Sequence, residues 1–309
     1  MASVDQYSVV LPLKISSHHH HNELNRLIQV LLPSLNRYLD NTSLCEFIII
    51  CKANEKSFIE TELFKQKYFA PIRLISENSI LKEFIIKNTE GWYIQQLLKL
   101  GIARYIKTNF YLVLDSDCFL TKPFGYDNLF SDQQLLTNSN SWKIHKNWWI
   151  SSAKILDIPV KMIQNQPVMG VTPQTLITSY VSELLSFLSS KTDHLEWDEY
   201  LCTRKFTEFS LYWLFLIKSG STNRYLTNAK PKLLGNGLWR STYRNNFPLA
   251  FQILPNTSNK EKKINDFVGA HIQKTFDEND DYYFSLVQSN INQISVECIA
   301  NCVDNYFKE

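Results

Sequence analysis

Residues 110–117 read Phe-Tyr-Leu-Val-Leu-Asp-Ser-Asp, an unbroken apolar run followed by two carboxylates on either side of a serine. A short, continuous apolar run fits a strand buried on both faces, the pattern of a parallel sheet. Upstream, S-V-V-L-P-L (Ser8–Leu13), E-F-I-I-I-C (Glu46–Cys51) and Ile72–Ile75 share that character. The segments between them switch to helical spacing. Leu24, Leu27, Ile28, Leu31, Leu32 and Leu35 recur on one side, Lys56–Lys67 reads as a helix, and Trp92–Ile106 places Ile94, Leu97, Leu98, Ile102 and Tyr105 on one stripe. The order β-α-β-α-β-α-β predicts an α/β fold with a mostly parallel central sheet flanked by helices.

The chain has 309 residues, and its 32 Lys and Arg against 30 Asp and Glu leave a net charge of only +2. That balance argues against a uniformly basic nucleic-acid surface. Only 8 glycines occur, which argues against Gly-rich phosphate loops. The densest apolar run, Phe209–Ile217, is far short of the ~20 residues of a spanning helix. The start, Met1–Asp5, has neither a basic nor an apolar signal-peptide region. The cysteines, 45, 51, 118, 202, 298 and 302, form no C-x-x-C pair, so reduced thiols and a cytoplasmic location are expected.

After Pro123 the pattern loosens. Leu135–Thr137 reads as a strand, Asn138–Asn147 as a polar loop and Trp148–Leu156 as a short helix. Pro167–Val171 reads as a strand, Pro173–Ser189 as a helix, and Thr207–Lys218 as a helix ending at Gly220. Residues 221–265 look irregular, Val268–Gln273 reads as a strand, and the tail from Tyr282 reads as helical.

Asp115 and Asp117 follow the strongest strand directly. In an extended chain, residues two apart face the same side, so both carboxylates can meet one point at the strand's carboxyl end. Open α/β sheets bind ligands there. Hard oxygen ligands suit Mg²⁺ or Mn²⁺ and leave room for phosphate oxygens. A D-x-D triplet alone is weak evidence, and the bland reading is a pair of aspartates at a turn before Pro123.

G-W-Y-I-Q-Q-L-L-K-L-G (Gly91–Gly101) and F-Y-L-V-L-D-S-D-C-F-L-T-K-P (Phe110–Pro123) resemble a glycosyltransferase of the GT-A fold. N-Q-P-V-M-G-V-T-P (Asn165–Pro173) and T-E-F-S-L-Y (Thr207–Tyr212) resemble later motifs of a bacterial group of glycosyltransferase-like proteins. The resemblance covers about residues 7–275. It implies a single GT-A-like domain: 1–125 a Rossmann-like nucleotide-sugar-binding half, 126–280 an acceptor-binding and catalytic half, and 281–309 a C-terminal helix. It also implies a nucleotide-sugar donor, first of all a UDP-sugar, with Asp115 near the ribose and Asp117 holding Mn²⁺ or Mg²⁺ on the diphosphate. A sugar would pass to a glycan or related acceptor, as in bacterial surface polysaccharide synthesis. Two rival readings are a sugar-phosphate nucleotidyltransferase, which would want a Gly-rich basic loop after the first strand, and an inactive glycan-binding homologue.

Gln95, Gln96 and Lys99, on the helix before the strand, are candidate donor contacts, as is Lys14 at the end of the first strand. Glu208 is the candidate base. Thr207 can cap its helix, and the helix dipole favours an ionised carboxylate in the first turn. Inversion is the slight favourite, and Asp198 and Glu199 are rivals in weaker context. The resemblance suggests His271 as a third metal ligand, against a plain strand-end histidine. Composition of the tract His18–His21 suggests metal binding, but four adjacent histidines cannot converge on one ion. The tract reads as a solvated loop with one or two functional members, at a position where the GT-A resemblance implies the nucleotide base. Trp148 and Trp149 are candidate acceptor platforms, with core the commoner fate of tryptophan. Gln166 and Arg240 are candidate polar acceptor contacts. The run Phe209–Ile217 reads as a buried helix, with peripheral contact at the inner face of the membrane the lesser reading.

Overall fold

The structure is a computed structural model that describes residues 5–15, 22–66, 71–164, 166–192, 194–230, 232–235, 237–247, 257–277, 282–291 and 293–308. Tyr7–Pro12 (β1), Leu44–Cys51 (β2), Ile72–Ser76 (β3) and Phe110–Val113 (β4) pair in parallel in the order β3-β2-β1-β4. Val10 faces Ile48 on one side and Val113 on the other, and all three side chains are buried. Two-sided burial is why these strands read as continuous apolar runs rather than alternating ones.

Gln174–Ile177 completes the sheet antiparallel to β4. The sequence pattern predicts a helix from Pro173 instead. The helix begins at Thr178 and runs to Ser190. Four residues are too few to show a period, so the Q-T-L-I strand was absorbed into the amphipathic stripe that follows it.

Cys118–Leu120 (β5) leaves the main sheet and joins a second one with Tyr282–Leu286 and Lys232–Leu234. The tail from Tyr282 therefore starts as a strand, and its helix spans Val296–Lys308. Val268–Gln273 is not a strand. It lies inside the helix Ser258–Asp277, where Ile264, Val268, Ile272 and Phe276 recur every fourth residue and are buried. That spacing is helical, and it outweighs the local β-branched content. The two C-terminal helices pack together over a second apolar cluster that includes Phe119, Leu238 and Ile299.

The polar stretch Asn138–Asn147 holds a short strand, Ser139–Ser141, that pairs antiparallel with Pro167–Met169, then a tight helical turn over Trp142–His145. Lys146–Ile155 is the helix that follows. Glu208–Ser219 is buried from Glu208 to Leu216 and ends at Gly220, whose φ of 71° fits a residue without Cβ.

Candidate active site

The main cavity, about 590 Å³, opens where β4 ends, at the carboxyl edge of the parallel sheet. Asp115, Asp117, Gln96, Lys99, Glu208, Trp148 and Trp149 all line it. Residues from four separate stretches of sequence thus meet at one place.

The two aspartates reach the cavity differently from the extended-chain expectation. The Cys118 N–H donates to the Asp115 carbonyl at 3.2 Å, so Asp115–Cys118 is a tight turn. Val287 and Ser289, beyond the last strand, fix its far corner. The Val287 N–H donates to the Asp117 carbonyl at 3.1 Å, and the Ser289 N–H donates to Asp117 Oδ2 at 3.0 Å. Buried Arg26 donates from Nη1 to the Val287 carbonyl at 2.7 Å and faces the Asp117 carboxylate. The Ser116 hydroxyl donates to Glu23. Burial, and then the charge of Asp115, pushes the Asp117 carboxyl up to about 7. Glu23 adds to that rise, while Arg26 and the Ser289 N–H oppose it.

Asp115 is gripped on both oxygens. Lys99 Nζ lies 2.9 Å from Oδ1, and the Thr172 hydroxyl donates to Oδ2. Lys99 Nζ also lies 3.1 Å from Glu208 Oε1. Burial opposes the charge on Lys99, but Asp115 and Glu208 outweigh it and hold the ammonium above its ordinary range. Burial raises the Glu208 carboxyl, with Lys99 pulling the other way. Lys99, a candidate donor contact, is therefore also a bridge between two carboxylates on the cavity wall.

Glu208 owes its place to its cap. Thr207 Oγ1 accepts from the Ser210 N–H at 3.2 Å, and Ser210 Oγ accepts from the Thr207 N–H at 3.2 Å. Ser210 takes the reciprocal capping role, which leaves the Glu208 side chain free to face the cavity. The Glu208 N–H donates to Gln96 Oε1 at 3.4 Å.

Gln95 and Gln96 are neighbours on the helix Gly91–Gly101, so their side chains diverge by about 100°. Gln96 turns to the main cavity, and Gln95 lines a second one of about 200 Å³ together with Lys14, Lys52 and Glu77 at the ends of β1 to β3. Trp148 stacks on His145, 4.1 Å between ring centres at 19°, and meets Trp92 at 5.4 Å. Trp149 is buried and lines the cavity, while Trp142 and Trp197 are core. Gln166 and Arg240 are exposed, and neither lines the cavity, although Trp239 and Ser241 beside Arg240 do. His271 is mid-helix in Ser258–Asp277 and is not a lining residue. Among the described residues no three His, Cys, Asp or Glu side chains are grouped to hold a metal. His18–His21 lie outside the described residues. Sequence reasoning missed Thr172, Trp92 and the Ser289 amide. The first two sit inside the quoted motifs, whereas nothing in the sequence marks a backbone amide 172 residues away from Asp117.

Residues 4–309 match a family described as one of unknown function, DUF6492. The chain belongs to that family. No curated protein matches it. Among solved structures it is similar to mouse xyloside xylosyltransferase 1 in its apo form, at 10% identity and a TM-score of 0.47, over 78% of this chain and 90% of that one. It is also similar to an active-site mutant of LgtC, at 11% identity and a TM-score of 0.49, over 96% of this chain and 95% of that one. At those scores neither likeness assigns a role to any side chain of this DUF6492 member.

Proposed function

We propose that the protein is a metal-dependent glycosyltransferase that moves a sugar from a nucleotide donor to a glycan or related acceptor. The observation that carries this reading is the convergence of Asp115, Asp117 and Glu208 on one cavity whose wall is aromatic. The donor set fits a hard divalent cation. Asp117 and Asp115 bring carboxylate oxygens to the cavity, and their mutual repulsion, which adds to burial in raising Asp117, is what a cation would offset. Asp117 and Asp115 would hold it, and it would supply charge neutralisation for the departing diphosphate.

Lys99 holds the Asp115 and Glu208 carboxylates in place. Glu208, raised by burial and lining the cavity, is suited to take the acceptor hydroxyl's proton, the arrangement an inverting transfer uses. Trp148 lines the cavity, and its indole would meet a sugar ring there. The sequence resemblance adds the setting: a UDP-sugar as first donor and a bacterial surface polysaccharide as product.

The deciding experiment is a thermal-shift screen of UDP-, GDP-, CMP- and TDP-sugars with and without Mn²⁺. A donor at a hundred times its dissociation constant adds ~2.7 kcal/mol of stability. The expected result is a Mn²⁺-dependent shift that Asp117→Ala abolishes. No shift with any nucleotide sugar would overturn the reading.

A further inference from the structure

The apolar helix Glu208–Ser219 offers no surface to a membrane over Phe209–Leu216, which are buried. A surface of the right character lies instead at the mouth of the main cavity. Ile144 is 60% exposed and lines the rim, and exposed Lys143 and Lys146 flank it. Next to it His145 stacks on Trp148, and Trp92, 38% exposed, closes the aromatic row. Residues 141–161 hold Lys143, Lys146, Lys154 and Lys161 against one acid, Asp157. Asp157 is already paired with Lys191 at 2.5 Å. Among the described residues none of those four lysines is in an ion pair. Against a net charge of +2 for the whole chain, this is a local concentration of positive charge.

We infer that this rim docks on an anionic lipid bilayer and so brings a lipid-borne acceptor to the cavity. The inference rests on the proposed glycosyl transfer. Lysines flanking an exposed apolar side chain match the interface, where ammonium groups meet headgroups and the apolar group enters the acyl boundary. Indole rings favour the same depth. A soluble anionic glycan would satisfy the lysines but would leave Ile144 with nothing to bury against.

The test is co-sedimentation of the full chain with phosphatidylcholine vesicles, with and without phosphatidylglycerol, at low and high salt. Binding is expected only to the phosphatidylglycerol vesicles, and it should weaken with salt. Each lysine near such a surface contributes about fivefold, so Lys143→Glu with Lys146→Glu should weaken binding by at least about 25-fold. Ile144→Ser should weaken it at both salt concentrations. Nucleotide-sugar thermal shifts on the double lysine variant should be unchanged, so loss of docking and loss of donor binding are read separately. Absence of binding to phosphatidylglycerol vesicles, equal binding by the double variant, or capture of a soluble anionic polysaccharide without vesicle binding would each overturn the inference.

Discussion

Lys99 Nζ sits 3.1 Å from Glu208 Oε1 and 2.9 Å from Asp115 Oδ1, and both Lys99 and Glu208 are buried. One ammonium thus separates two carboxylates that would otherwise repel across the cavity wall. Removing a single partner of a buried pair typically costs about 3–5 kcal/mol, because the remaining charge is left uncompensated. Lys99→Met is expected to fall in that range by urea denaturation. Adding Glu208→Gln should return part of the loss, since one of the stranded charges goes with it. A Lys99→Met variant as stable as the parent would refute the bridge.

Glu208→Gln separates binding from chemistry. The amide keeps the shape and can still meet Gln96 through its own backbone, but it cannot accept a proton. The expected outcome is an unchanged Mn²⁺-dependent donor shift with turnover reduced by about 10²–10⁴, the usual worth of a positioned base. Turnover at the parent rate would remove Glu208 from that role.

Much of the placement of these residues is legible in the sequence, and for a physical reason. F-Y-L-V-L and E-F-I-I-I-C encode two-sided burial, so strand, sheet type and the location of Asp115 and Asp117 follow from a few residues. Gln96 and Lys99, three apart on a helix, had to share a face. What stayed hidden depends on long-range packing. Tyr282–Leu286 pairs with β5, far earlier in sequence, and carries Ser289 to Asp117, yet no local pattern announces that pairing. His271 shows the opposite failure. A short F-V-G-A-H-I run invites a strand, and only the fourfold recurrence from Ile264 to Phe276 shows the helix.

Thr172 is the untested grip on Asp115. Its hydroxyl donates to the carboxylate oxygen that Lys99 does not hold. Hydrogen bonds to charged groups are worth about 1.5–3 kcal/mol, and Thr172→Val keeps the shape while deleting the donor. Asp115 would then turn more freely. Donor affinity, measured by calorimetry with Mn²⁺ present, should fall about tenfold or more while the fold persists by circular dichroism. Unchanged affinity would show that Lys99 alone positions Asp115.

The proposed cation site predicts a pH-dependent affinity through Asp117. Burial and the neighbouring Asp115 hold its carboxyl up to about 7, so below that pH the folded protein carries it protonated. A cation binds the ionised form and must displace that proton. Mn²⁺ affinity is therefore expected to climb about tenfold per pH unit up to about pH 7 and level off above it. The sign for folding is opposite when no metal is bound. A carboxyl whose folded pKa lies above its unfolded value stabilises the fold at low pH, and that contribution is lost as pH rises from about 4 through about 7. Asp117→Asn should flatten both curves, the first by calorimetric titration of Mn²⁺ and the second by denaturant unfolding across the same pH series. A Mn²⁺ affinity that does not change across that range, in protein that still binds the ion, would show that Asp117 is already ionised and place the cation elsewhere.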